Sequence, residues 1–417
     1  MMHILEDSVA QKYSQTALDH CDELAQVSEL EEGILRQYLT SKHKAGNQLV
    51  EKWMQQEGLK TWQDQAGNQW GRLPCKDPDA PSLILGSHLD TVPNAGAYDG
   101  ILGVMLGLEL MKIAKANQLA LPFHLDLVGF VDEEGTRFAT TLIGSSAIAG
   151  SFNSQWLEVK DRDGVTMADA MQQFGLEPSE VINATLDPEK VLAYWEVHIE
   201  QGPVLEAKDL QVGVVTAIAG AKRAVISYTG ITGHAGTSPM NLRKDSLAAI
   251  AELTLAIETI ALNCTHQEVA TVGKISAKPG ATNVIAGYSE MTLDARAQND
   301  QDLEVLLNKI VDKAKLIAEK RELLLTWKWT HQAEAVQCDQ NIQDLLATAC
   351  EENNLPVFHL ASGAGHDGMA VAKICPIGML FIRSPGGVSH HPSESVMKDD
   401  VTQALKVMYS ALSSYAV

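Results

Sequence analysis

The sequence predicts an α/β protein: a larger domain with a mostly parallel sheet flanked by helices, interrupted by a smaller α+β module. Three observations predict it. Short apolar runs bounded by turn residues alternate with helical spacing over roughly the first half of the chain. The texture then changes near Gly213, where glycine and β-branched residues take over. After LLLTWKWT the strand–helix alternation resumes.

In order, residues 1 to about 60 read as helices. Ile34, Leu35, Tyr38 and Leu39, then Leu49, Val50, Trp53 and Met54, recur at helical spacing. Gly58, the Gly67-Asn68 pair and the stretch Pro74 to Pro81 punctuate the next part. SLILGSHLDTV follows, and its run of Leu83, Ile84 and Leu85 reads as a buried strand. The glycine-rich turn NAGAYDGILG leads into a helix from about Leu102 to Ala116. Residues 123–131 read as a second buried strand ending at DEEG, Met167 to Phe174 as a helix, and AYWEVHIEQG as a third strand. Beyond Gly213 come strands, a helix from Asp245 to about Leu262, two or three strands in TVGKISAKPGATNVIAGYSEMTLDARA, and a helix from Gln301 to Lys320. A helix near 341–353, the loop SGAGHDG and a strand at PIGMLFI complete the chain. This places the larger domain at 1–212 and 332–417 and the inserted module at 213–331.

Composition narrows the function. The chain has 417 residues, 45% hydrophobic and 20% charged, which suits a soluble globular protein with a large core. With 32 basic against 53 acidic residues the net charge is −21, which argues against general nucleic-acid binding and against an electrostatic membrane anchor. The six cysteines are scattered with no C-x-x-C pair, as expected of reduced thiols in a cytoplasmic protein. The N-terminus lacks a basic start followed by an apolar run, so no signal peptide is expected. No window reaches the ~18 apolar residues of a membrane span.

Polar residues able to bind metal fall where the predicted strands end, the usual place for sites in open α/β sheets. After the first strand come His88 and Asp90, then Asp99 in a glycine-rich turn. After the second come Asp132, Glu133 and Glu134. His198 lies at the third, and His390 and His391 lie in a glycine-rich loop near the C-terminus. Histidines and carboxylates in this number form a ligand set for two divalent ions of the zinc type, with a carboxylate bridging them. Asp90, spaced by one residue from His88, can stand behind its imidazole. Of Glu133 and Glu134, one can hold metal while the other carries a proton from water to a leaving nitrogen.

At this point the motifs resemble a family. GSHLDTV, DGILGV, DEEGTRF, HIEQGPVLE, GHAGTSPM, ATNVIAG, SGAGHD and GGVSHHPSE, running in order from about residue 86 to 395, are similar to those of zinc-dependent amidohydrolases of the hydantoinase/carbamoylase family. That family includes allantoate amidohydrolases and N-carbamoyl-L-amino-acid hydrolases. The resemblance implies two divalent ions per subunit, zinc first, with manganese, cobalt or nickel as alternatives. By similarity His88, Asp99 and His198 hold one ion, Asp99 bridges, and Glu134 and His390 complete the second. His391 fills the variable place of the S-H-x-P-x-E pattern. Glu133 becomes the general base and Asp90 the partner of His88.

The resemblance also makes the insertion a lid and homodimerisation domain, whose His234 steadies an oxyanion, often from the other subunit. Gln201, Asn283 and Arg296 match positions that hold a substrate carboxylate or ureido group. Arg223, or its neighbour Lys222, adds a second positive contact, and Gly363 offers a backbone N–H. His366 and Asp367 are candidates for ordering the site. The implied reaction is hydrolysis of a ureido C–N bond, with allantoate as the leading substrate and release of ammonia and carbon dioxide. N-carbamoyl-L-amino acids and 3-ureidopropionate are the alternatives. A dipeptidase or N-acyl-amino-acid deacylase is less favoured, because the peptidase branch typically carries an acidic residue where this chain has His198. A metal-free binding protein is disfavoured because no ligand of the set is missing.

Overall fold

The computed structural model describes residues 4–416. The chain divides into two compact units. The first runs to Thr216 and takes up again at Cys338–Leu360 and from Ala364; the second is Ala217–Gln337 with Ala361–Gly363.

The elements of the first half are α1 (Asp7–Ala25), α2 (Ser41–Gln56), β1 (Lys60–Gln63), β2 (Gln69–Leu73), β3 (Ser82–His88), α3 (Ile101–Ala116), β4 (His124–Phe130), α4 (Ile143–Ile148), α5 (Met167–Phe174), β5 (Val191–Ile199), α6 (Val204–Ala207) and β6 (Val212–Ile218). The second unit is built from β7 (Gly220–Thr229), β8 (Gly233–His234), α7 (Ser246–Leu262), β9 (Val269–Thr271), β10 (Ile275–Lys278), β11 (Val284–Ile285), β12 (Tyr288–Ala297), α8 (Asp300–Arg321), β13 (Leu324–Ala333) and β14 (Val336–Gln337). The chain closes with α9 (Gln340–Glu352), β15 (His359–Ser362), α10 (Gly368–Val371), β16 (Ile377–Ile382) and α11 (Lys398–Tyr415).

The large sheet has the order β1-β2-β4-β3-β5-β16-β6-β14, with β15 also on β6. Its centre, β4-β3-β5-β16, is parallel, as the strand–helix alternation requires. Its flanks are antiparallel, at β1–β2, β2–β4 and β16–β6. Every residue of β3, β4 and β16 is buried, so these strands read as near-continuous apolar runs. Helix α3 is apolar on nearly all sides because it lies between the sheet and helices α1 and α11.

The second unit is a different construction. Its sheet, β10-β12-β7-β13 with β9 on β12, is antiparallel throughout. Along β12 buried and half-buried residues alternate, and Met291, Leu293, Ala295 and Ala297 share one core with Leu253 and Ile257 of α7 and Leu306 and Ile310 of α8. Asp245 caps α7 by accepting the N–H groups of Leu247 and Ala248, which fixes where that helix starts.

One predicted helical stretch is not helical. Ile34, Leu35, Tyr38 and Leu39 lie in an irregular segment between α1 and α2. Its backbone is organised instead by Arg36, which is buried and donates to the carbonyls of Leu89 (2.7 Å), Leu24 and Val27 (both 3.1 Å). The apolar spacing reflects packing of an irregular segment, which periodicity alone does not separate from a helix.

Candidate metal centre

The parallel strands bring their carboxyl ends to one edge of the sheet, and register fixes what arrives there. His88 ends β3 opposite Phe130, the last residue of β4, and the turn Asp132–Gly135 follows directly. His198, next to the end of β5, lies opposite Phe381 of β16. Asp99 lies in the loop that enters α3. That entry needs Gly100: its φ is +74°, and a Cβ there would stand 2.4 Å from the His88 ring.

The ligand atoms of His88, Asp99 and His198 all lie within 4.8 Å of one another, and so do those of Asp99, Glu134 and His390. Asp99 is common to both groups. Its Oδ1 is 3.2 Å from His198 Nε2 and 3.7 Å from His88 Nε2, and its Oδ2 is 3.2 Å from His390 Nε2. His390 Nε2 is also 3.3 Å from Glu134 Oε1. A third group, His88, Glu133 and Glu134, brings Glu133 against the same set. The opposite ring nitrogens are held by the backbone: His88 Nδ1 by the Asp90 carbonyl at 3.0 Å, and His198 Nδ1 by the Ile199 carbonyl at 2.9 Å. Carbonyl partners place the proton on Nδ1 and leave Nε2 as the lone-pair donor.

The chemistry of this donor set fits divalent metal. Asp99 Oδ1 and His198 Nε2 are buried and have no hydrogen-bond partner. Buried polar atoms are normally satisfied, so two unsatisfied ligand atoms facing each other point to a cation between them.

Electrostatics follow from crowding. Burial pushes the Asp99 carboxyl up, but contact with His198, His390 and His88 outweighs it and holds the group well below the usual carboxylate range. Burial pushes Glu133 well above that range, with the neighbouring Glu134, Asp367 and Asp90 adding to it and His88 opposing. A carboxyl raised in this way can hold a proton and pass it on. His390 is raised to about 10 by its contacts with Asp99 and Glu134.

Two residues make contacts that the sequence did not indicate. The Asp90 carboxylate stands 3.8 Å from His88 Nδ1, and it is the Asp90 carbonyl that orients that imidazole. The carboxylate accepts the N–H groups of Glu133 and Glu134 instead, each at 3.1 Å, and so pins the turn that presents both glutamates. Gln201 Nε2 donates to Asp99 Oδ2 at 2.7 Å and leaves Oε1 buried without a partner.

The sequence candidates Lys222, Arg223, His234, Asn283, Arg296 and Gly363 lie in the second unit. His234 pairs with Val284 in the short β8–β11 ladder, and its Nδ1 accepts from Gly236 N–H. The Asn283 carbonyl accepts from Ala235 N–H. Arg223 and Arg296 both hold Asp294: Arg223 Nε at 2.7 Å, Arg296 Nε at 2.8 Å and Nη2 at 3.1 Å. Arg296 Nη1 donates to the Gly363 carbonyl at 2.6 Å, so Gly363 meets this arginine through its oxygen.

Sequence reasoning missed several groups around the centre. Glu196, buried and accepting from Ser87 Oγ at 2.8 Å, lies with His366 beside His198. Ser389 and Glu394 bracket His390 and reach the Asp99 loop. The only available signal was their place inside SHHPSE.

Comparison with known proteins decides the family. The model of peptidase family M20/M25/M40 matches residues 84–414. The chain belongs to this family. Among M20 relatives it is 39% identical to an N-carbamoyl-L-amino acid amidohydrolase of Geobacillus stearothermophilus, over 90% of this chain and 92% of that one. It is 36% identical to an allantoate deiminase of Arabidopsis thaliana, over 93% and 80%. Among solved structures, a hydantoinase/carbamoylase family amidase from Burkholderia multivorans superposes with a TM-score of 0.90 at 30% identity, covering 97% of this chain and 98% of that one. This M20 chain is therefore a hydrolase of carbon–nitrogen bonds.

Proposed function

We propose that the protein hydrolyses the ureido C–N bond of a small carboxylate substrate, allantoate first, releasing ammonia and carbon dioxide. The observation that carries this reading is Glu133 placed against two ligand groups that share Asp99. His88, Asp99 and His198 would hold one divalent ion, and Asp99, Glu134 and His390 the other, zinc first with manganese, cobalt or nickel as alternatives. When bound, the ions supply Lewis acidity to the ureido carbonyl and lower the pKa of the attacking water.

The chain's own groups do the rest. Glu133 takes a proton from the attacking water on its carboxylate and gives it to the leaving nitrogen. Asp90 keeps Glu133 in place through the backbone. Gln201 Oε1 is an acceptor for a ureido N–H. Arg296, with Arg223 beside it, would take the substrate carboxylate, Asn283 and the Gly363 backbone would line that end, and His234 would donate to the developing oxyanion.

N-carbamoyl-L-amino acids are the competing substrates, favoured by the 39% identical relative, with 3-ureidopropionate beside them. The deciding experiment measures ammonia release by metal-loaded protein with allantoate and a panel of N-carbamoyl-L-amino acids, against a chelated control. Turnover of allantoate well above the panel supports the first reading. Turnover of the panel alone transfers the same machinery to a carbamoylase, and no ammonia from either ends the ureido reading.

The same reading makes the chain a cytoplasmic homodimer through the insertion 213–331. The six cysteines are free, and Leu247, Leu255 and Leu262 are exposed on α7. Light scattering on the purified chain tests the dimer.

A further inference from the structure

Glu394 is buried in the loop that carries His390, 6% exposed. Its Oε1 accepts two backbone N–H groups, from Tyr98 at 2.9 Å and Asp99 at 3.1 Å. Its Oε2 is 3.1 Å from Ser389 Oγ, and the same hydroxyl is 2.6 Å from Asp99 Oδ2. Gly96 shows how closely the two loops meet: a Cβ there would stand 2.3 Å from the Glu394 side chain. A buried carboxylate is costly unless hydrogen bonds satisfy it, and these bonds all run to the Asp99 loop or to the residue before His390.

We infer that Glu394 is a positioning residue that sets Asp99 and His390 relative to each other. This rests on the two-ion reading above. Asp99 and His390 come from loops almost 300 positions apart in the chain, and no other side-chain hydrogen bond among the described residues ties the Asp99 backbone to the loop of His390. The consequence is asymmetric. Asp99 and His390 are two of the three members of the group completed by Glu134, whereas only Asp99 belongs to the group of His88 and His198. Those two imidazoles are held by carbonyls that Glu394 does not touch. Losing Glu394 therefore weakens one metal position far more than the other.

The test is a calorimetric titration of Zn²⁺ into the chelator-stripped full chain. Wild type should take up two ions. In Glu394→Ala one of the two positions should lose affinity by about ten-fold or more, the usual scale for removing a group that orients ligands, while the other stays near wild type. Glu394→Gln keeps an oxygen for both backbone N–H groups and should fall between. Gly96→Ala pushes on the latch from the other side and should reproduce the selective loss. If Glu394→Ala does not fold, as read by circular dichroism, the glutamine and Gly96 variants decide by the same criterion. Unchanged affinities, or an equal fall at both positions, overturn the inference. Wild-type protein that binds fewer than two zinc ions overturns the two-ion reading and this inference with it.

Discussion

Asp90 and Glu133 are joined by a hydrogen bond of 3.1 Å from the Glu133 backbone N–H to Asp90 Oδ1, and Asp90 Oδ2 takes the next N–H, of Glu134, at the same distance. One carboxylate thus sets the turn that carries the proposed base and a proposed ligand. Asp90→Asn keeps the volume but presents an amide N–H₂ to one of those two donors. The expected loss is about 1–3 kcal/mol of stability, together with a fall in kcat from a displaced Glu133. Urea unfolding and steady-state kinetics check both, and unchanged values would show that the turn holds itself.

Glu133→Gln should abolish turnover and leave the metal in place, because the amide cannot accept the proton. Metal content and ammonia release, measured on one preparation, test this together. The same residue sets a pH dependence. A base works only when ionised, and burial raises the Glu133 carboxyl well above its usual range. In metal-free protein this carboxyl should therefore titrate above the ordinary glutamate value of ~4.3, as read by NMR, and the rate of the loaded enzyme should fall on the acid side as Glu133 gains a proton. A metal-free carboxyl titrating at or below that value would contradict the burial argument.

Much of this arrangement was legible in the sequence, for a physical reason. Strands buried on both faces read as apolar runs, and their ends are marked by turn residues, so His88, Glu133, Glu134 and His198 announce themselves by position. Hydrogen bonds between distant loops have no such signature. Glu394 meets Asp99 from 295 positions away, and Arg36 meets Leu89 from 53, neither at any regular spacing. Alternation puts Asp90 and His88 on one side, and the carboxylate stands 3.8 Å from Nδ1, but the two N–H groups that the turn after β4 brings to it have no mark in the sequence.

His390 and His391 are separable by experiment. His390 Nε2 lies 3.2 Å from Asp99 and 3.3 Å from Glu134, while the exposed His391 ring bonds to Ser393 of its own loop. His390→Ala should lower metal occupancy and His391→Ala should not. In chelated protein His390 is raised to about 10, above an unfolded value of ~6.5. A raised value adds stability that is fully present below ~6.5 and is lost as pH rises through about 10. The difference in unfolding midpoint between metal-free wild type and His390→Ala should shrink across that window.

Arg36→Leu tests the segment that periodicity misread. The guanidinium serves three carbonyls; the leucine would take it from those of Leu89 and Val27, while the Leu24 carbonyl keeps the Val27 N–H. The expected cost is roughly 2–4 kcal/mol in urea unfolding, with the exit of β3 loosened because Leu89 follows His88 directly. A loss below that range would mean that water replaces the guanidinium.

Arg296 is held on three N–H groups, two by Asp294 and one by the Gly363 carbonyl, which leaves one N–H on each Nη. Two remaining donors on one fork suit a carboxylate taken bidentately. Lysine keeps the charge but not the fork, and it cannot hold Asp294 and a substrate in the same geometry. Arg296→Lys should therefore raise KM for an anionic ureido substrate by about ten-fold or more, with kcat changed less. The control is a ureido substrate whose carboxylate is replaced by a neutral amide, for which the variant and wild type should have similar KM. An equal rise in KM for both substrates would remove Arg296 from carboxylate recognition and leave it as a clamp on Asp294.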